Sequence, residues 1–232
     1  MSLSGLLGGG VCEGGGVTAA QRPVRVVLAD DESLVLDGLT AVLEPHPDID
    51  VVGHACDGDA LLALVYEQYP DVVLLDVRMP GMDGLTALRW LPAIPPPYCA
   101  VLTTFDLDSY VDEALRAGAH GFLLKDTAPA VLANAVRDLA AGGAVIDPRI
   151  AARLLPRLRT LPVSRGFEEL SQREREVLML LGQGASNATI GRELAISEST
   201  VKGHVTHVLV KLAVENRVQA ALIAKRLRES ER

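Results

Sequence analysis

Residues 71–84 read DVVLLDVRMPGMDG. Four consecutive apolar residues, Val72 to Leu75, stand between two aspartates. A run this short and this apolar reads as a strand buried on both faces, the habit of parallel sheets. An amphipathic stretch, 84–91, follows it. The same unit recurs outward in both directions. VRVVLAD (24–30), DVVGHA (50–55), CAVLTT (99–104) and GFLLK (121–125) read as further strands, and 33–44, 58–69, 107–117 and 128–141 as amphipathic helices. Five strands alternating with five helices predict an α/β doubly wound, five-stranded parallel sheet. In such sheets the ligand crevice lies at the carboxyl ends of the strands, so the polar residues that end each run are the ones to follow.

The 232 residues of the chain are enough for two modest domains, each with its own core. Hydrophobic residues at 49% and charged residues at 22% exclude wholesale disorder, and no 18-residue apolar run is present to cross a membrane. Aromatics at 3% leave little material for a base-stacking surface. Cys12, Cys56 and Cys99 are scattered, with neither CxxC nor Cys/His metal spacing, which fits a reducing cytoplasm. The net charge of -8 hides an asymmetry: residues 22–146 hold 7 basic and 19 acidic side chains, 147–167 hold 5 and 1, and 168–232 hold 10 and 9. Two domains with different electrostatic work are expected. The division read from the chain is a flexible Gly-rich leader at 1–21, a first domain at 22–142, a linker at 143–167 and a second domain at 168–232. The leader lacks the basic n-region of a signal peptide. The linker region carries three prolines and leaves room for one helical turn.

Asp30 and Asp31 end the first predicted strand, Asp76 the third, Thr103 the fourth and Lys125 the fifth. Singly, each is what a turn or a helix cap requires. Together they converge on one sheet edge, as carboxylates, a hydroxyl and an ammonium in one pocket. Grouped carboxylates raise one another's pKa unless a cation neutralises them, and hard oxygen donors of this kind suit Mg²⁺. A carboxylate in that setting can attack a phosphoryl donor, with the lysine and hydroxyl receiving the phosphoryl oxygens.

The strings Asp30-Asp31, DVRMPGMDG, TTFD from Thr103 and GAHGFLLKD around Lys125 resemble a bacterial response-regulator receiver domain over about residues 24–142. The resemblance implies a flavodoxin-like sheet and a phosphoacceptor at Asp76. It implies Mg²⁺ held by Asp30, Asp31, Asp76 and the backbone carbonyl of Arg78. Thr103 and Lys125 would sense the phosphoryl group. Phe122 stands at the family's switch-aromatic position and, lacking a hydroxyl, can signal only by burial. Asp126 follows Lys125 where many receivers carry proline; this form is similar to receivers joined to LuxR-type DNA-binding domains.

In the second domain, Ser171-x-x-Glu174 has capping-box spacing ahead of Val177, Leu178, Leu180 and Leu181. Helices are expected there, at about 187–194, 198–212 and 215–228. On a helical wheel, Val201, Val205, Val208, Leu209 and Leu212 make one apolar arc, and Ser199, Lys202, Gly203, Thr206, His207 and Val210 face away from it. Residues 170–224 resemble the LuxR/GerE helix-turn-helix module, which implies a small all-α four-helix domain. The expected DNA-facing set is Ser186, Asn187, Ser199, Thr200, Lys202, Gly203, Thr206, His207 and Lys211, with phosphate contacts at helix N-termini. His204 and His207 at i, i+3 lack a third metal ligand. On the last helix Val214, Val218, Ala221 and Leu222 read either as packing within the module or, as the resemblance implies, as a dimer surface.

Together the resemblances imply a DNA-binding transcriptional response regulator of the NarL/FixJ type, not an enzyme apart from promoting its own phosphorylation and dephosphorylation. A sensor histidine kinase would phosphorylate Asp76, and a phosphorylated homodimer would read double-stranded promoter DNA. Two alternatives stand beside this one: a constitutive DNA binder with an idle receiver, and a Mg²⁺-dependent aspartyl-phosphate phosphatase. A module of nearly balanced charge predicts weak DNA affinity per monomer.

Overall fold

The computed structural model describes residues 22–91, 97–104, 110–157, 163–214 and 216–230; the expected leader and the first residues of the helix expected at 107–117 lie outside them. The strands are β1 (Val24–Ala29), β2 (Ile49–Ala55), β3 (Val72–Asp76), β4 (Tyr98–Thr103), β5 (Gly121–Leu124) and β6 (Val145–Ile146). They form one sheet in the order β2-β1-β3-β4-β5-β6, with every neighbouring pair parallel. Side chains alternate between its two faces with period two. From β3, Val73 and Leu75 enter one core with α2 (Gly58–Gln68), α3 (Gly84–Trp90) and α4 (Val111–Arg116). Val72 and Leu74 enter the other, with α1 (Ser33–Leu43) and α5 (Pro129–Ala140).

The sheet has six strands where five were expected. Val145 and Ile146 pair with Gly121 and Phe122 inside the stretch read as linker, and a two-residue strand is too short to show a period. The linker also holds more helix than one turn. Pro148, which reads as a breaker, occupies the first position of α6 (Pro148–Arg157), where a proline starts a helix. Ile150 and Ala151 of α6 are buried against the sheet. After it comes α7 (Val163–Glu168).

The second domain comprises α8 (Gln172–Leu181), α9 (Asn187–Leu194), α10 (Glu198–Leu212) and α11 (Arg217–Ser230) around Leu170, Val177, Leu178, Ile190, Val201 and Val208. Hydroxyl caps set the starts: Ser171 and Glu174 make both bonds of a capping box on α8, and the side chains of Ser186 and Ser197 accept from Thr189 and Thr200 N–H on α9 and α10.

α11 is buried on two sides. Ala220, Ala221 and Ala224 complete the core of the second domain, whereas Val218 and Leu222 belong to the first domain's core with Ile150, Ala151 and Phe122. A polar seam runs beside that apolar contact. Asn216 Oδ1 accepts from Gln219 N–H at the start of α11, while its Nδ2 donates to Leu115 O at the end of α4, 2.6 Å away. Arg217 donates to Asn187 Oδ1 at 2.6 Å and to Ala185 O, and Asn187 N–H donates to Ala141 O at 3.3 Å. His120 packs edge-on against Tyr98, with ring centroids 5.0 Å apart, and its Nδ1 accepts from Cys99 N–H. Burial, with the Arg217 charge adding to it, pushes the His120 pKa down to about 4.

Two predictions follow from this packing. A Cβ at Gly84 would stand 2.0 Å from Asp76 O, whereas one at Gly38 would meet nothing within 4 Å. Gly84→Ala is therefore expected to destabilise the first domain by about 1–3 kcal/mol in urea unfolding, while Gly38→Ala stabilises it by about 0.5–1 kcal/mol. Equal effects would contradict the close approach. Because the folded pKa of His120 is depressed, its neutral form favours the folded state above pH 6.5, and that preference is lost as pH falls toward 4. Between pH 7 and 5 the wild type should lose on the order of 1–2 kcal/mol more stability than His120→Gln. An equal loss in both proteins would show that His120 titrates freely.

Candidate functional site

In the strand order β2-β1-β3, the chain runs outward from β1 to β2 and then crosses back to β3. This is the topological switch point, and it places the carboxyl ends of β1 and β3 side by side at an open crevice. Asp30 and Asp31 follow β1 directly, and Asp76 ends β3. The residues around the crevice, Asp31, Glu32, Asp76, Val77, Arg78, Thr103, Thr104, Tyr110 and Lys125, line a cavity of about 250 Å³.

The Lys125 ammonium lies 2.9 Å from Asp76 Oδ2, 2.7 Å from Asp30 Oδ2 and 3.7 Å from Glu32 Oε1. Asp30 is wholly buried, and its Oδ1 accepts from Glu32 N–H. No donor is directed at its Oδ2, which has only the ammonium beside it. Burial raises the Asp76 pKa, with the Lys125 hydrogen bond and the Arg78 N–H pulling against it. Burial also acts to lower the Lys125 pKa, but the adjacent carboxylates of Asp30 and Asp76 outweigh it and the ammonium is held charged. Carboxylate oxygens of Asp30, Asp31 and Glu32 come within 4.8 Å of one another. The Thr103 hydroxyl donates to Thr104 O at 2.8 Å, and Phe122 is fully buried.

The residues expected to face DNA divide into an exposed group, a buried pair and the half-buried Lys211. Ser199, Thr200, Lys202, Gly203, Thr206 and His207 are exposed along α10, where the hydroxyls of Ser197, Ser199 and Thr200 cluster at its start. Ser186 and Asn187 are instead buried, Ser186 as the cap of α9 and Asn187 in the seam with the first domain. Lys211 is 2.7 Å from Glu174 Oε2, whose pKa it holds down near 2, and His207 Nδ1 is 3.6 Å from Glu174 Oε1. Of the four residues read for the last helix, Val214 and Ala221 pack within the second domain, and Val218 and Leu222 lie under the first.

Sequence reading did not single out the polar seam. Tyr98, His120 and the adjacent pair Asn216 and Arg217 lie far apart in sequence and come together only in the folded chain; Asn216 and Leu115 are 101 residues apart. Nor did it find Arg149. That side chain forks onto Asp126 at 2.9 and 3.0 Å and onto Asp147, so the residue after Lys125 is tied to the first turn of α6.

The model of the response regulator receiver domain matches residues 26–137, and that of bacterial regulatory proteins of the luxR family matches 168–224. The transcriptional regulatory protein LiaR of Bacillus subtilis (strain 168) is 41% identical over 209 residues, spanning 88% of this chain and 97% of that protein. Among solved structures, the response regulator ChrA of a heme-sensing two-component system is 37% identical with a TM-score of 0.51, over 90% of this chain and 99% of that one. The response regulator RcsB in its complex with DNA is 28% identical with a TM-score of 0.52, over 86% and 96%. The chain therefore belongs to the two-component response regulators that join a receiver to a LuxR-type helix-turn-helix domain, with LiaR, DegU and NarL among its relatives, and it is a DNA-binding transcriptional regulator.

Proposed function

We propose that Asp76 accepts a phosphoryl group from a sensor histidine kinase in the cytoplasm, and that this modification releases α11 from the receiver so that two copies pair on double-stranded promoter DNA. The observation that carries the reading is the single ammonium of Lys125 shared between Asp76 and Asp30 at the switch point of the sheet.

The donor set fits Mg²⁺. It is made of oxygen alone, and the buried Asp30 Oδ2 has only the Lys125 ammonium as a partner. Asp30, Asp31 and Asp76, with the Arg78 carbonyl, would hold the ion. When bound, Mg²⁺ supplies positive charge to phosphoryl oxygens. The receiver's own residues do the rest. An Asp76 carboxylate oxygen attacks the phosphorus, and the bond from phosphorus to the donor nitrogen breaks as the imidazole leaves. Lys125 and the Thr103 hydroxyl then receive phosphoryl oxygens, which requires both to leave their present partners, Asp30 and Thr104 O. The same residues promote hydrolysis of the acyl phosphate, in which water attacks the phosphorus, the bond from phosphorus to the Asp76 oxygen breaks and inorganic phosphate leaves.

A route to the second domain follows from connectivity. Thr103 and Thr104 lead toward α4, and Tyr110, just before it, lines the cavity. The far end of α4 is the acceptor for Asn216. The six-residue helix thus has the acidic pocket at one end and α11 at the other. In the same core, Phe122 shares an apolar cluster with Val218 and Leu222, the two α11 residues under the receiver. While they are covered, they cannot pair with a second copy.

Incubating the full chain with Mg²⁺ and acetyl phosphate should add one phosphoryl group by intact mass, and Asp76→Asn should abolish the gain. Promoter affinity should rise by about tenfold with phosphorylation, within the usual range of coupling between sites. A protein that binds DNA equally with and without the phosphoryl group would favour the idle receiver instead. Asn216→Asp separates the two roles of that side chain, keeping the acceptor that caps α11 and removing the donor to Leu115 O. The variant should dimerise and bind DNA without phosphodonor, as read by light scattering and DNA titration. A variant still dependent on phosphorylation would place the latch elsewhere.

A further inference from the structure

The exposed face of α10 is more apolar than a DNA-reading helix needs to be. Val210 is 73% exposed, and it is the exposed large hydrophobic of the second domain among the described residues. Burial within the module offers no reason for a valine there, since the core-facing residues of α10 are Val201 and Val208, with Val205, Leu209 and Leu212 packed beside them. Gly203 stands seven residues earlier, on the same side of the helix. An added Cβ at Gly203 would meet nothing within 4 Å, so packing does not require a glycine that costs the helix about 1 kcal/mol relative to alanine. Thr206 lies between them on that face. Its hydroxyl donates to Lys202 O at 3.0 Å, which commits its proton to the helix itself. His207 and Lys211 are drawn toward Glu174. Lys202 is the one residue of this face whose side chain is a cation without an ion pair among the described residues.

Chemically, the face presents a bare backbone at Gly203, a methyl-bearing Thr206 and the isopropyl group of Val210. A short apolar side chain reaches a base edge only when the helix axis lies close to the groove floor, and a glycine on the same face permits that approach. In the major groove the apolar feature that distinguishes one base pair from the others is the 5-methyl group of thymine. We propose that Val210 is a specificity-determining residue that packs against a thymine 5-methyl group, with Gly203 admitting the helix to the depth this requires. The proposal rests on the reading of α10 as the helix that enters the groove.

The test uses the full-length protein, treated with Mg²⁺ and beryllofluoride, and a duplex that it enriches from a random-sequence library. Each thymidine of that duplex is replaced in turn by deoxyuridine, which removes the methyl group and leaves every hydrogen-bonding atom in place. At one or more positions the replacement should weaken wild-type binding about threefold to fivefold, as expected for one buried methyl group. Val210→Ala should weaken binding to the thymidine duplex by a similar factor and be indifferent to deoxyuridine at that position. If Val210→Ala discriminates thymidine from deoxyuridine as the wild type does, while Lys202→Ala weakens binding to both duplexes, α10 reads DNA without Val210 and the proposal is overturned. If neither substitution changes binding, α10 is not the DNA face, and the reading beneath the proposal falls with it.

Discussion

One ammonium holds the receiver's acidic edge together. Lys125 is within 3 Å of carboxylate oxygens of both Asp30 and Asp76, one wholly buried and the other nearly so. Two carboxylates that close would each resist ionisation without a cation between them. The lysine is therefore a structural counterion in the unmodified protein, and any new anion on Asp76 competes for it. A phosphoryl group brings up to about two negative charges and three acceptor oxygens to a site with a single ammonium. Conversion of the Asp76 carboxylate to an acyl phosphate would raise its charge from one to about two, and in the proposed switch that added charge draws Lys125 away from Asp30.

The second constraint is that α11 has more apolar surface than one domain can cover. Val218, Ala220, Ala221, Leu222, Ile223 and Ala224 are all buried, and a helix apolar on every side needs partners on every side. Its own domain supplies one side, and the receiver covers Val218 and Leu222 on the other. Two bonds of the seam cross between the domains and are made only when these are closed: Asn216 Nδ2 donates to Leu115 O, and Asn187 N–H donates to Ala141 O. The proposed opening would leave an apolar strip at Val218 and Leu222 that water does not favour and that a second copy would cover. The polar face of α10, from Ser199 to His207, stays exposed while α11 is docked, so closure in this structure covers Val218 and Leu222 and leaves that face free. The proposed pairing suits a module of nearly balanced charge, in which effective concentration would compensate for few cations.

Much of this was legible in the residues. The four-residue and longer apolar runs of β1, β3 and β4 announce buried parallel strands, and their polar ends locate the acidic edge because strand polarity fixes which ends converge. The helix starts of the second domain were equally plain: the capping box expected at Ser171 and Glu174 forms, and α9 and α10 begin at 187 and 198 as read. What escaped has a common cause. β6 is two residues long, and Pro148 reads as an interruption when it is in fact a first-turn residue. The seam between domains unites polar side chains from β4, the start of β5, α9 and α11, which no local period connects. Asn187 shows the limit most clearly: its place at the start of α9 suggests a phosphate ligand, yet the folded chain turns it toward Arg217.

The central claim is that charge at Asp76 and docking of α11 on the receiver exclude one another. Nitroxide labels at Ala130 on α5 and Glu193 on α9, both exposed, report that docking directly by electron–electron double resonance in a Cys12→Ser, Cys56→Ser background, with Cys99 buried. Adding Mg²⁺ and beryllofluoride should replace a single narrow distance with a longer, broader distribution in the wild type and leave the Asp76→Asn protein unchanged. A narrow distance that persists while DNA affinity rises would contradict the account.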